Sequence, residues 1–358
     1  MTTTRLTDST ALSPADWQRW RDIQRGSSSL ASPYFCPEFT QAVAAVRSDV
    51  EVAVLEEQGE SIGFFPFQRG SLGIGKPVAG KLSDYHGPII DADYEFEPLV
   101  LVRDCHLAGW DFDHLPGTYP AFSPFVTLRE ESPYLDVSQG YEAYCKSRRA
   151  AGSDIIAKTN QKARKCERDV GPLTFEYDCH DDSLMDLLQR WKSAQYQRTG
   201  LADVFSFEWT SQLLKRLREY SGEEFSAPLS VLRAGSRPAA IGLSLRSRSV
   251  LHCWFIAYEP ELASYSPGVI FFLRMAEAAE GLGIHTIDLG KGDERYKCSL
   301  ASAAVPMWEG TVGSRSLSLW LRSGWRQTRD WVHNSSWRNT SEMPGRLIRP
   351  LREWMAYH

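Results

Sequence analysis

Residues 266–297 read SPGVIFFLRMAEAAEGLGIHTIDLGKGDERYK. The Pro267-Gly268 turn opens an amphipathic helix, because apolar Val269, Phe272, Leu273, Ala276 and Ala279 recur at three- and four-residue spacing. Gly281 and Gly283 end it, since glycine takes left-handed dihedrals without steric cost. Ile284 to Leu289 then reads as a strand, with Ile287 and Leu289 on one face and Thr286 and Asp288 on the other. Directly after it come Lys291, Asp293, Glu294, Tyr296 and Lys297, interleaved with Gly290 and Gly292. Charged side chains gathered at the C-terminal end of a strand, on a loop loosened by glycines, are placed as an active site places them; a solvated loop is the plain alternative.

The pattern upstream repeats. Residues 50–67, VEVAVLEEQGESIGFFPF, read as two strands joined by a Gly-containing turn, and residues 229–245, LSVLRAGSRPAAIGLSL, read the same way. In both, the second strand opens with Ile-Gly, at Ile62-Gly63 and Ile241-Gly242. A helix with a similar start precedes each, at Pro37-Glu38-Phe39 and at Phe207-Glu208-Trp209. Equivalents lie about 170 to 180 residues apart, one domain length. A duplicated α/β unit follows, with boundaries expected at 1–138 and 139–309 and a distinct tail over 310–358; chance likeness between generic hairpins is the alternative.

Composition sets the outer limits. At 358 residues, with 42% apolar and 24% charged residues, the chain is expected to be globular and long enough for two cores. A net charge of −5 argues against bulk nucleic-acid binding, so no DNA partner is expected. The first thirty residues show no apolar signal-peptide core, and no run of about 18 apolar residues suggests a membrane span. The seven cysteines are scattered without Cys-x-x-Cys spacing, which fits reduced thiols in a cytoplasmic protein and no zinc site.

The order SPG, apolar helix, Gly-x-Gly, strand ending in Asp, Gly-x-Gly-Asp-Glu and Tyr-Lys resembles the CelD/BcsL group of acyltransferases. That group belongs to the GNAT (Gcn-five-related N-acetyltransferase) superfamily and is similar to the FemABX peptidyltransferases. The resemblance extends through Val250 to Tyr258, more weakly over the hairpin at 229–245, the basic segment around Asn160, and Ser83-Asp84-Tyr85-His86-Gly87-Pro88. It implies two tandem GNAT-like α/β domains, each a mixed or antiparallel central sheet flanked by helices. It also implies acyl transfer from acyl-CoA, without a metal, to a small-molecule or glycan-precursor acceptor such as an amino sugar, an amino acid or a polysaccharide or envelope precursor. A FemABX-like transferase using charged tRNA and a non-catalytic exopolysaccharide-assembly protein are the alternatives.

Site residues follow from the same resemblance. The thioester arm would lie along Trp254, Phe255, Ile256 and Tyr258, and the donor's phosphates at the helix start, Ser266 and Gly268, where free amides and the helix dipole suit an anion. Tyr265-Ser266-Pro267-Gly268 departs from the usual acetyltransferase phosphate loop, and Pro267 removes one donor, which keeps an aminoacyl-tRNA donor in view. Asp288 would take a proton from the acceptor, Lys297 would stabilise the oxyanion and Glu294 would orient that lysine, with Asp84 and His86 facing them. Lys158, Asn160 and Arg164 match a basic-Asn-basic pattern of the family, and with Tyr296 they are the expected substrate contacts.

Other features bear less weight. Residues 140–171 hold eight cations against four acids and read as helical up to Gly171-Pro172. The tail from 311 holds eight arginines, three acids and five tryptophans. Such a tail can pack across the domains or touch the inner face of a membrane. Gly70 to Gly75 has the wrong glycine order for a dinucleotide fingerprint. Cys105-His106 and His252-Cys253 are adjacent pairs on expected strands, so neither pair can jointly hold a metal.

Overall fold

The computed structural model describes residues 2–91 and 94–313. The first half runs β1 (Thr2–Asp8), α1 (Pro14–Gly26), α2 (Pro37–Ala44), β2 (Val50–Glu57), β3 (Glu60–Arg69), β4 (Ile74–Lys76), β5 (Ile89–Ile90), α3 (Pro98–Asp104), β6 (Gly109–Pro116) and β7 (Val126–Asp136). Then α4 (Tyr141–Ala150) and α5 (Ile155–Asp169) lead into β8 (Leu173–Glu176), α6 (Asp182–Thr199), α7 (Glu208–Arg218), β9 (Phe225–Ser226), β10 (Leu229–Ala234) and β11 (Arg237–Ser247). The chain continues through β12 (Val250–Tyr258), α8 (Pro267–Ala279), β13 (Thr286–Asp288), α9 (Arg295–Leu300) and β14 (Ala303–Gly313). The fold is mixed α/β, a large sheet flanked by helices.

Both hairpins are present. β2–β3 and β10–β11 are antiparallel, and each carries a register shift near its turn, at Leu55/Glu56 and at Leu232/Arg233. Their leading helices, α2 and α7, pack on one another. Side chains of β2 are buried on both faces: Val50, Val52 and Val54 enter one core, Ala53 and Leu55 another. That is why the strand reads as a nearly continuous apolar run.

Two sheets are expected from the repeat; the structure has one. Its strand order is β1-β2-β3-β4-β6-β14-β7-β13-β12-β11-β10-β8, with β5 on β3 and β9 on β11. The joint is an exchange of strands across the expected boundary. β7, from the first half, pairs antiparallel with β13 of the second. β14, from the end of the described chain, inserts between β6 and β7. One face of this sheet carries a core shared by both halves, in which Trp20, Phe39 and Phe64 join Leu213, Val231 and Leu243. The opposite face has two separate cores, one around Phe271 and Met275 and one around Phe65, Trp110 and Phe122.

Local departures have simple causes. The basic segment is two helices, because residues 151–154 turn at Gly152, whose φ is +80°. Cys105-His106 follows α3 and lies on no strand, with His106 at φ +52°. The expected packing of the tail falls on residues 314–358, outside the described residues. No helix among the described residues is long and apolar enough to cross a membrane.

Candidate active site

β12 and β13 are parallel neighbours for only three residues, Val250↔Thr286, Leu251↔Ile287 and His252↔Asp288. Beyond that point the chain after Asp288 follows β7 instead: the Leu289 amide donates to the Pro133 carbonyl and the Gly292 amide to that of Glu131. β12 runs on to Tyr258 paired with β11 alone. The two strands therefore part, and His252 and Asp288 sit where they do so. Gly290, at φ +74°, makes the turn away; a Cβ there would stand 3.7 Å from Asp84 Oδ2 and 3.8 Å from His252 Nε2.

Acids and imidazoles alternate through this point. Asp84 Oδ2 lies 2.8 Å from His252 Nε2, and Asp288 Oδ1 stands 3.4 Å from His252 Nδ1, an ion-pair distance without hydrogen-bond geometry. Asp288 also accepts from the Tyr85 hydroxyl, from Ser132 Oγ at 2.8 Å and from the Gly290 amide at 2.7 Å. On the other side, His114 Nε2 is 3.8 Å from Asp84 Oδ1, and His114 Nδ1 is 3.1 Å from Asp113 Oδ1. The rings of Tyr34 and Tyr85 stand edge-on to His252. The His252 side chain has no exposed surface, whereas that of Asp84 is 23% exposed. Asp84 is thus the member of the central pair that opens to solvent.

Burial works against a charged His252, but Asp288 and Asp84 outweigh it and lift its pKa to about 9. Burial likewise works against both carboxylates, and the imidazolium between them holds each below the usual aspartate range. At neutral pH the centre is a buried cation between two anions. Tyr85 is pushed well up by burial and by Asp288, so its hydroxyl remains a donor.

Of the expected catalytic residues, the structure brings Asp84 and Asp288 together around His252. His86 stands apart from them: its Nε2 accepts from the amides of Asp113 and His114, both at 3.1 Å, and burial lowers its pKa to about 3. With that lone pair taken, His86 holds the β6 backbone and has no free base to offer at neutral pH. Lys297 is buried on α9, and its ammonium donates to the carbonyls of Gly290 at 3.3 Å and Lys291 at 3.1 Å. Its third neighbour is Glu294, 3.1 Å away and half-exposed.

The expected donor-binding residues also converge. The Tyr258 ring lies 3.7 Å from where a Gly268 side chain would begin. Trp254 is the extra residue of a bulge against β11, and its indole donates to the Leu82 carbonyl across the junction of the halves. Phe255 is buried in the shared core, so only its backbone can meet a ligand. Ile256 is half-buried on the opposite face, beside the Phe271 core. Ser266 caps α8 in the left-handed region, φ +56°, and its hydroxyl is 2.7 Å from Lys162 Nζ. Lys165 stands over the Tyr265 ring beside it. Lys158 and Arg164 are exposed on α5, with Lys158 paired to Asp154, and Asn160 is half-buried there; Tyr296 stacks on Phe272. These four do not reach the His252 cluster. Among the described residues no group of His, Cys, Asp and Glu is arranged to hold a metal ion.

The sequence reading passes over Ser132 and His114, names Tyr85 only within the motif at 83–88, and considers His252 only as a metal ligand beside Cys253. The usable signal for His252 is the strand–helix–strand unit itself, which lays β12 beside β13 and one of its polar residues beside Asp288.

Residues 153–298 match the model of the acetyltransferase (GNAT) domain family. No curated protein sequence matches the chain. Solved structures share the fold. The C-terminal domain of a putative lysylphosphatidylglycerol synthetase from Agrobacterium fabrum superposes with a TM-score of 0.55 at 15% identity, covering 89% of this chain and 96% of that one. L-PGS from Bacillus licheniformis gives 0.54 at 10% identity, over 88% and 96% of the two chains. FemX gives 0.55 at 9% identity, over 86% and 96%. The matches thus give a GNAT acetyltransferase domain over residues 153–298 and a fold shared with these structures over most of the chain.

Proposed function

We propose that this chain is a CelD/BcsL-type acyltransferase that moves an acyl group from acyl-CoA to an amine or hydroxyl of an amino sugar, amino acid or glycan precursor. The observation that carries the reading is the parting of β12 from β13 at His252 and Asp288, with the partly exposed Asp84 carboxylate at the opening. The thioester arm lies along the unpaired edge from Trp254 to Tyr258, and the donor's phosphates meet the start of α8, where Lys162 and Lys165 add positive charge. The acceptor's nitrogen or oxygen attacks the thioester carbon to give a tetrahedral oxyanion, its proton goes to Asp84, and the carbon–sulfur bond breaks as the oxyanion collapses. His252, fixed as a cation by Asp288, orients Asp84 and stabilises its ionised form until that proton arrives. Lys297 turns one N–H from Glu294 towards the tetrahedral oxyanion. The CoA thiolate leaves and takes the proton that Asp84 received, directly or through water, which restores the carboxylate.

A second reading, transfer of an aminoacyl group from charged tRNA, draws support from Pro267 at the phosphate position and from the fold shared with FemX and the lysylphosphatidylglycerol synthetases. A donor panel separates the two. Acyl-CoA of some chain length should raise the melting temperature, and a native extract supplied with it should yield an acylated product by mass spectrometry. Stabilisation and product with charged tRNA alone would move the assignment to the second reading.

A further inference from the structure

α6 places its apolar side chains on one stripe. Leu184, Met185 and Leu188 are buried in the core shared by the two halves, against β12. Lys192 lies four residues beyond Leu188 and seven beyond Met185, which puts it on that same inward stripe. The cation therefore stands where the pattern calls for an apolar residue. Its ammonium makes one long hydrogen bond to Gln195 Oε1, 3.3 Å, and stands 5.0 Å from the centre of the Tyr196 ring. No carboxylate among the described residues forms an ion pair with it. Burial, and then the charge of Lys297, lower its pKa to about 8. The face it covers is the one on which His252 meets Tyr34 and on which Trp254 packs.

We propose that Lys192 binds an anionic group of the acceptor, so that the substrate is an amine or hydroxyl compound carrying a carboxylate or a phosphate. A half-buried ammonium without a counter-ion carries a desolvation cost, and the charge of Lys297 adds to it. A bound anion removes both penalties at once. Methionine or leucine at this position would continue the apolar stripe without the penalty. The anion, held under α6, directs the acceptor's nucleophile towards the opening beside Asp84. That the anion belongs to an acceptor rests on the acyl-transfer reading; the anion site itself does not.

The test uses the full chain without any donor. Melting temperatures are compared in sodium chloride, inorganic phosphate and sodium acetate at matched ionic strength, for the wild type, Lys192→Met and Lys192→Arg. Lys192→Met should melt higher than the wild type in chloride, because the unpaired charge is gone. The wild type and Lys192→Arg should gain stability in millimolar phosphate or acetate, and Lys192→Met should not. A response to phosphate alone assigns a phosphorylated acceptor, and one to acetate alone a carboxylate. If Lys192→Met does not fold, Lys192→Gln carries the same comparison. A wild type indifferent to both anions, or a neutral variant that keeps the response, overturns the proposal. An anion response that depends on Lys192 in a protein that transfers no acyl group would instead remove the proposed function and leave this site standing.

Discussion

His252 has a folded pKa of about 9 against an ordinary value of 6.5, and that fixes how the site responds to pH. The folded state binds the proton more tightly, so the stabilisation is fully present below pH 6.5 and is lost as pH rises through 9. Lys192 works the other way: with its pKa lowered to about 8, folding gains above that pH as the unfolded chain still binds the proton. The window from pH 6.5 to 8 belongs to His252 alone of these two. Stability should fall there in the wild type and stay flat in His252→Phe, as followed by chemical denaturation; a flat wild type would place the proton elsewhere. Asp288→Asn removes one of the two carboxylates flanking a buried cation and should cost about 3–5 kcal/mol. Asp84→Asn, at the partly exposed end, should cost less stability than Asp288→Asn and lose about a hundredfold or more in turnover. Equal loss of stability in both variants would deny Asp84 its separate role. Asp288 was legible because it lies on the polar face of a strand that runs into a glycine-rich charged loop, and Asp84 only through the family resemblance of residues 83–88. His252 was not, because its partners are set by register between distant strands, and its sequence neighbour Cys253 points to the other face.

At the scale of elements, two glycines that look alike in sequence have opposite structural standing. A Cβ on Gly242 of β11 would lie 2.6 Å from Phe271 Cζ on α8, inside the contact limit, and 3.2 Å from Ile256 Cγ1. Gly242→Ala should therefore destabilise by about 1–3 kcal/mol, read as a lower denaturation midpoint. At Gly268 the nearest atom is Tyr258 Cδ1 at 3.7 Å, an ordinary contact. Gly268→Trp should fold normally and weaken acyl-CoA binding, because the ring fills the space at the start of α8; unchanged affinity would remove the donor from this helix. The helix α8, its Pro267 start and both hairpins were legible from periodicity and turn residues. The break between α4 and α5 was missed because cations dominate that stretch and mask Gly152, whose positive φ ends the first helix.

Across the whole molecule, the repeat was legible but the union of its halves was not, since strand exchange leaves no periodic trace. β7 is bonded on both edges to strands of the second half, β13 and β14, and β14 is bonded to β6 of the first. Cutting at 138/139 leaves β7 in the first piece without either neighbour, and β6 with an open edge towards the missing β14. The second piece loses the strand that separates β13 from β14, and the shared core is divided between the two. Unpaired edges and a halved core leave too little buried area to offset chain entropy. Residues 1–138 and 139–358 made separately should thus fail to fold, whereas the full chain should unfold in one transition monitored alike by tryptophan fluorescence and circular dichroism. The active centre makes the same demand, because Asp84 comes from the first half while His252 and Asp288 come from the second. Two resolved transitions, or a dispersed NMR spectrum from either piece, would show that the halves are independent domains and that the strand exchange contributes little to stability.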